Sequence, residues 1–276
     1  MKNLRYTLPI IAAVFLASLP AANASTSINW RISFAQAQTE AQAGNKLIML
    51  DFYTSWCGWC QKLDSDVYTQ TAVIAASDQF EPVKVDAEKE GKDLAAKYKV
   101  TGYPTILFLQ PDGTPVDKIV GYEAPAQFTN DMDQAAQDFQ DLPVLQAAVK
   151  QRPTDVPSSL KLAALYIKAG DIADAKTLVT TIEQNGGAAQ LAPLYTQLGD
   201  ADSGTGEWKT AAAWYTRALS STDTQTLVAA HAGLATCDMQ QGNKADAKAE
   251  LLKILTLPGI SADLKDRVNQ AVNSIS

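Results

Sequence analysis

The chain reads Lys46-Leu47-Ile48-Met49-Leu50-Asp51-Phe52-Tyr53 and, three residues later, Trp56-Cys57-Gly58-Trp59-Cys60. The apolar run of Leu47, Ile48, Met49, Leu50 and Phe52 is too short for an ordinary helix and predicts a buried strand over 46–53. A helix is expected to start at Cys57 and run toward Tyr68. Two residues between the cysteines put both sulfurs at that helix start, close enough to close a small disulfide ring. The free N–H groups and positive end of a helix favour a thiolate there, which lowers the pKa of the first cysteine. Cys57 is thus the expected nucleophile, and Cys60, one turn further in, the resolving thiol of an exchange reaction. Two other uses of such a pair remain open. It can be half of a metal site, for which Cys237 is the only further thiol, or a static structural bond. Trp56 and Trp59 weigh against the static bond, since aromatic rings around a thiol suit an unfolded or apolar partner.

Around this segment the pattern alternates between helix and strand. Residues 32–44 read as helix, with a weaker helical stretch near 71–77. The Val83 and Val85 alternation marks a strand over 81–86, and 88–98 reads as helix. A strand over 105–110 is closed by Pro111-Asp112-Gly113, whose residues favour a tight turn, and 116–120 is its hairpin partner. A helix over 125–139 follows, with Pro125 in its first turn. The order β-α-β-α-β-β-α predicts a mixed sheet with helices on its faces.

Beyond Asp141 the strand signals stop. Gly170, Gly206 and Gly242 recur at a spacing of 36. Ala175, Ala211 and Ala247 lie five residues after them, and Val179, Tyr215 and Leu251 four further on. Leu162, Leu198 and Leu234 each precede a glycine by eight. This period of two helices and a glycine turn resembles the tetratricopeptide repeat, most closely over Tyr195 to Ala218. Pro153, with Leu145 and Val149 before it, suggests a half-repeat joining the two parts. Cys237 and His231 fall on a first helix of a repeat, where a free cysteine behaves as a small packed hydrophobe.

The N-terminus has its own signature. Lys2 and Arg5 precede an apolar run from Leu8 to Leu19 and an Ala22-Asn23-Ala24 ending, the parts of a secretory signal peptide over 1–24. The run is shorter than the ~20 residues that a bilayer requires. An exported chain works where disulfides persist, and this pattern points to a bacterial periplasm.

Composition narrows the chemistry. The 276 residues, 46% of them hydrophobic and 19% charged, suit a globular chain of about two domains. A net charge of −7 without a basic stripe gives no grip on nucleic acid. A single histidine excludes His-rich metal clusters and disfavours Ser-His or Cys-His catalysis. Three cysteines are too few for a four-thiolate metal site, so neither a metal nor another bound cofactor is expected, only the Cys57–Cys60 dithiol/disulfide itself.

Residues 47–122 resemble a thioredoxin-fold domain at several positions beyond the cysteines. Asp51, six residues before Cys57, matches the family's buried carboxylate, and Trp56 immediately precedes the pair as it does there. Lys84 stands where the family often puts a lysine near that carboxylate. Tyr103-Pro104-Thr105 matches its cis-proline segment, and Gly121 the glycine lining its substrate groove. This resemblance implies an α/β thioredoxin fold over 25–141, and the 36-residue period implies an all-α domain of tetratricopeptide-like helical hairpins over 142–276. The thioredoxin resemblance implies roles as well. Asp51 is the acid/base for Cys60, with Lys84 moderating it. Trp56, Gly58, Trp59, Tyr103, Pro104 and Gly121 line the substrate, and the Tyr103 backbone pairs with a substrate strand. The dipeptide Gly58-Trp59 departs from the Gly-Pro of cytosolic thioredoxin, so the direction of electron flow does not follow from the motif. The phrase Trp-Cys-Gly-Trp-Cys-Gln-Lys-Leu most resembles exported thioredoxin-like proteins near the reductase end of the disulfide-handling families.

Three functions compete on this reading, the least favoured being an assembly scaffold with no redox role. One is a periplasmic thiol–disulfide oxidoreductase, of reductase or isomerase type, whose repeats dock a protein partner. Its substrates are disulfide- or thiol-containing proteins, and its donor or acceptor is a redox protein, membrane-bound ones included. Another is a chaperone-like adaptor in which the repeats bind clients and the thioredoxin part is a redox handle. The intact set of Asp51, the cysteine pair and Pro104 favours the first, because a module kept only for binding does not need all three.

Overall fold

Strand β1 (Leu47–Tyr53) lies inside a four-stranded sheet and is buried on both faces, which is why its sequence is apolar at nearly every position. The computed structural model describes residues 26–275; the signal peptide expected over 1–24 lies outside them. The sheet order is β2-β1-β3-β4. Strand β2 (Phe80–Asp86) is parallel to β1, whereas β3 (Thr105–Leu109) is antiparallel both to β1 and to β4 (Pro115–Val120). The sheet is therefore mixed, as the element order predicts.

Alternation along β1 assigns each residue to a face. Leu47 and Met49 pack with Leu63 of α2 (Gly58–Asp66), Val73 and Ile74 of α3 (Thr71–Ser77), and Phe128 and Met132 of α5 (Pro125–Gln151). Ile48, Leu50 and Phe52 pack on the other face with Ala37 and Ala41 of α1 (Phe34–Gly44) and Ala95 of α4 (Lys92–Lys97). Asp51 follows the parity of Leu47 and Met49, so its carboxyl enters the layer beneath α2.

Two helices differ from expectation. Helix α4 begins at Lys92 and not at 88, because the end of β2 holds the preceding turn. The Glu88 N–H donates to Asp86 Oδ1 at 3.0 Å, the Asp86 N–H to Glu90 Oε1 at 2.7 Å, and the Gly91 N–H to the Asp86 carbonyl at 2.9 Å. Gly91 passes so close to the strand that a Cβ there would lie 2.7 Å from Val85 Cγ2. Helix α5 continues past Phe139 to Gln151, with Pro143 inside it. Pro143 deprives one carbonyl of its donor. Continuing the helix lets its second half pack on α6 (Val156–Ala169), where Gln146 donates to the Tyr166 hydroxyl at 3.3 Å.

The C-terminal part is helical throughout and packs in pairs. Helix α6 pairs with α7 (Ile172–Gln184), α8 (Ala192–Gly204) with α9 (Trp208–Ala218), and α10 (Thr224–Gln240) with α11 (Lys244–Leu255); α12 (Ala262–Ser274) follows. Gly170, Gly206 and Gly242 stand between the members of successive pairs at φ of 82–83°, a left-handed turn that glycine makes without steric penalty. Ala175, Ala211 and Ala247 are fully buried where the paired helices meet. Cys237 is buried beside Ala211 and Tyr215, and His231 is buried with Nδ1 2.7 Å from Glu250 Oε2.

Helix α6 packs on β4, the outer strand of the sheet. Lys168 of α6 reaches Asp117 of β4 and Asp138 of α5, both at 2.6 Å, and so ties the helical part to sheet and closing helix together.

Candidate active site

Local sequence and chain reversal bring the cysteines to the end of β1. The Cys57 N–H donates to the Thr54 carbonyl at 3.2 Å, and Cys57 then caps α2 with an extended backbone. Its sulfur accepts the Cys60 N–H at 3.0 Å, so the helix terminus directs a donor at that sulfur. Cys57 and Cys60 are joined in a disulfide, with Cα atoms 5.3 Å apart. Both are nearly enclosed, whereas Trp56 and Trp59 are 66% and 58% exposed, so a partner meets the rings before it meets sulfur.

Asp51 is fully buried. Its Oδ2 accepts the Tyr68 hydroxyl at 3.1 Å and lies 3.6 Å from Lys84 Nζ, while Oδ1 has no hydrogen-bond partner among the described residues. Burial raises its pKa from 3.8 to about 6, against the opposing pull of the Lys84 charge and the Tyr68 hydrogen bond. A carboxyl in that range exchanges protons near neutral pH. Lys84 shares the Asp51 face of β2; it makes its tighter ion pair with Asp64 and lies over the Tyr53 and Tyr68 rings at 4.9 and 5.5 Å.

Of the remaining expected residues, Tyr103 and Pro104 precede β3 and Gly121 follows β4. The Tyr103–Pro104 peptide is cis, and the Gly121 N–H donates to the Pro104 carbonyl at 2.8 Å. Gly121 has φ of 90°, which turns the chain out of β4 and carries Tyr122 toward α2. The Tyr103 ring meets Trp56 edge-on, with centroids 6.1 Å apart. Gly58 has open space where a Cβ would stand, so no local crowding demands glycine there.

Four participants carry no signal that the sequence reading used. Glu88 accepts the Trp56 indole N–H at 2.9 Å, and Tyr68 holds Asp51. Tyr122 packs against Trp59 with centroids 5.5 Å apart, and Lys62 Nζ lies over both rings at 5.6 and 5.2 Å. Lys62 was within reach of helix periodicity, three residues after Trp59. Tyr68, Glu88 and Tyr122 come together with their partners only through tertiary folding.

The sequence of this part is similar to that of known proteins. A thioredoxin H-type protein of Oryza sativa subsp. indica is 38% identical over 88 residues, 32% of this chain and 68% of that protein. The chain belongs to the thioredoxin family. The family described as a thioredoxin-like domain matches residues 34–136, which span α1 to α5 of the thioredoxin part. A protein disulfide-isomerase of Schizosaccharomyces pombe is 27% identical over 198 residues, 70% of this chain and 51% of that protein. The thiol:disulfide interchange protein DsbD of Pseudomonas fluorescens is 29% identical over 100 residues, 35% of this chain and 17% of that protein. The chain thus spans about half or less of the length of these last two relatives.

Proposed function

We propose that the chain is an exported, periplasmic thiol–disulfide oxidoreductase, of reductase or isomerase type, that works by exchange at Cys57 and Cys60. The observation that carries this reading is the Cys57–Cys60 disulfide at the α2 terminus, together with the buried Asp51 carboxyl, its pKa raised to about 6, on the strand that leads into it. In the reduced pair, the Cys57 thiolate is favoured by the Cys60 N–H and the helix end. It attacks a substrate disulfide, forms a mixed disulfide and expels one substrate thiolate. Cys60 then gives its proton toward Asp51, attacks the Cys57 sulfur and expels the second substrate thiolate. The substrate gains two electrons and the pair becomes the disulfide. A thiol-bearing donor protein restores the dithiol by the reverse sequence. No bound cofactor takes part.

Trp56, Trp59, Tyr103, Pro104 and Gly121 serve in this reading as the substrate surface, with Gly58 leaving room at the helix start and Lys84 moderating Asp51. Residues 25–141 act as the thioredoxin-like unit and 142–276 as tetratricopeptide-like repeats that dock a protein partner, with α5 shared between them. The protein relatives named disulfide-isomerase and thiol:disulfide interchange protein support disulfide-bearing proteins as the substrate class.

The test is a trapping experiment. Cys57→Ser abolishes turnover, whereas Cys60→Ser accumulates a mixed disulfide through Cys57. Normal turnover by Cys57→Ser, with nothing trapped by Cys60→Ser, refutes the reading. Equilibration of the pair against glutathione then sets its direction: a potential near about −270 mV marks a reductant and one near about −120 mV an oxidant.

A further inference from the structure

The two sides of the cysteine pair differ in charge. On one side Trp56 donates its indole N–H to Glu88, so the ring there is backed by an exposed carboxylate. On the other, Trp59 and Tyr122 are backed by Lys62, whose ammonium lies 5.6 and 5.2 Å from their centroids. Both rings hold this cation by their faces, which limits where it can swing. Trp59 and Lys62, three apart on α2, share one side of that helix. Tyr122 is delivered by the left-handed turn at Gly121.

The Lys62 charge is not consumed within its own helix. Of the two acids on α2, Asp64 pairs with Lys84, and Asp66 Oδ1 accepts the Ser65 hydroxyl at 2.8 Å. Among the described residues no carboxylate lies within 4 Å of Lys62 Nζ. The next acid after Tyr122, Glu123, has its pKa raised by burial and by the neighbouring Asp131, which disfavours its charged form.

We propose that Trp59, Tyr122 and Lys62 form a subsite that selects disulfide-bearing polypeptides with an acidic side chain beside the reacting cysteine. The apolar stem of the glutamate or aspartate lies on the exposed Trp59 ring while its carboxylate meets the ammonium. The inference rests on the exchange reading of Cys57. The net charge of −7 gives the comparison its edge, because the whole molecule repels acidic peptides and a preference for them has to arise locally.

The probe is one synthetic peptide sequence with a single cysteine, disulfide-linked to 2-mercaptoethanol, made with Glu, Gln or Lys next to that cysteine. The second-order rate constant for reaction with the reduced full chain is measured for each. The expected order is Glu above Gln above Lys, about two- to five-fold per step at low salt, the scale of one partly exposed charge contact. The spread shrinks at high salt. Lys62→Gln levels the series and Lys62→Glu inverts it. Equal constants for the wild-type chain overturn the subsite, and so does a preference that survives in Lys62→Gln. Absence of exchange with all three peptides is a different result. It refutes the oxidoreductase reading, and the subsite falls with it.

Discussion

Replacing Asp51 by asparagine keeps the side-chain shape and removes the charge that the sheet interior holds at neutral pH. The folded-state pKa of about 6 stands above the ordinary 3.8, so the native chain binds the proton more tightly than the unfolded one. The contribution of this proton is full below pH 3.8 and is lost as pH rises through about 6. The interval corresponds to about 3 kcal/mol, at about 1.4 kcal/mol per pH unit. Asparagine removes this burden, and its amide oxygen still accepts the Tyr68 hydroxyl. Lys84 loses one carboxylate and retains Asp64, a small debit. Asp51→Asn is therefore expected to be more stable than the wild-type chain by about 2–3 kcal/mol at pH 8 and close to it below pH 4. Urea unfolding of the oxidised proteins across pH 4–8 measures this difference directly. On the role proposed above for Asp51 as proton acceptor for Cys60, stopped-flow release of the mixed disulfide at pH 7 should be slower in the same variant. A stability difference that does not change with pH, or a variant less stable at pH 8, refutes the assignment of a buried, proton-exchanging carboxyl.

Three further outcomes follow from named contacts. Tyr68→Phe removes the hydrogen bond that favours the ionised Asp51, so the pH midpoint of the Asp51-dependent step should move upward; urea unfolding should show a loss of about 1 kcal/mol. Gly233→Ala would put a Cβ 2.3 Å from Tyr215 Cζ, in the slot where that ring also meets Gly199, and denaturant titration should register a loss of about 1–3 kcal/mol. Lys168→Met leaves Asp117 facing Asp138 without their shared cation. Limited proteolysis should then cut faster near residues 152–155, with roughly 2 kcal/mol less stability; an unchanged cleavage rate would show that apolar packing alone holds the α5–α6 junction.

Much of the thioredoxin part was legible because its signals are local. A seven-residue apolar strand, a Cys-x-x-Cys helix start and a Pro-Asp-Gly turn each act within a few residues, and the structure places β1, α2 and the β3–β4 hairpin there. The recurring glycines were legible for the same reason, since a left-handed turn is a property of one residue. The errors arose where distant packing overrode local pattern. The end of β2 captures residues 86–91 and delays α4, and docking on α6 keeps α5 helical past Pro143. Periodicity over 88–98 and 125–139 contains neither partner.

The sequence by itself determined the spacing of the proposed site: two sulfurs one helical turn apart and a carboxyl six residues upstream. Spacing along a strand and a helix is set by backbone geometry alone. Tertiary structure decided the environment of those atoms. It buried Asp51 under α2 and raised its proton affinity, brought Tyr68 to its oxygen, and gathered Tyr122, Trp59 and Lys62 from two separate segments into one face. Those effects depend on which surfaces exclude water and which charges meet across the sheet, and neither quantity exists until the chain has packed.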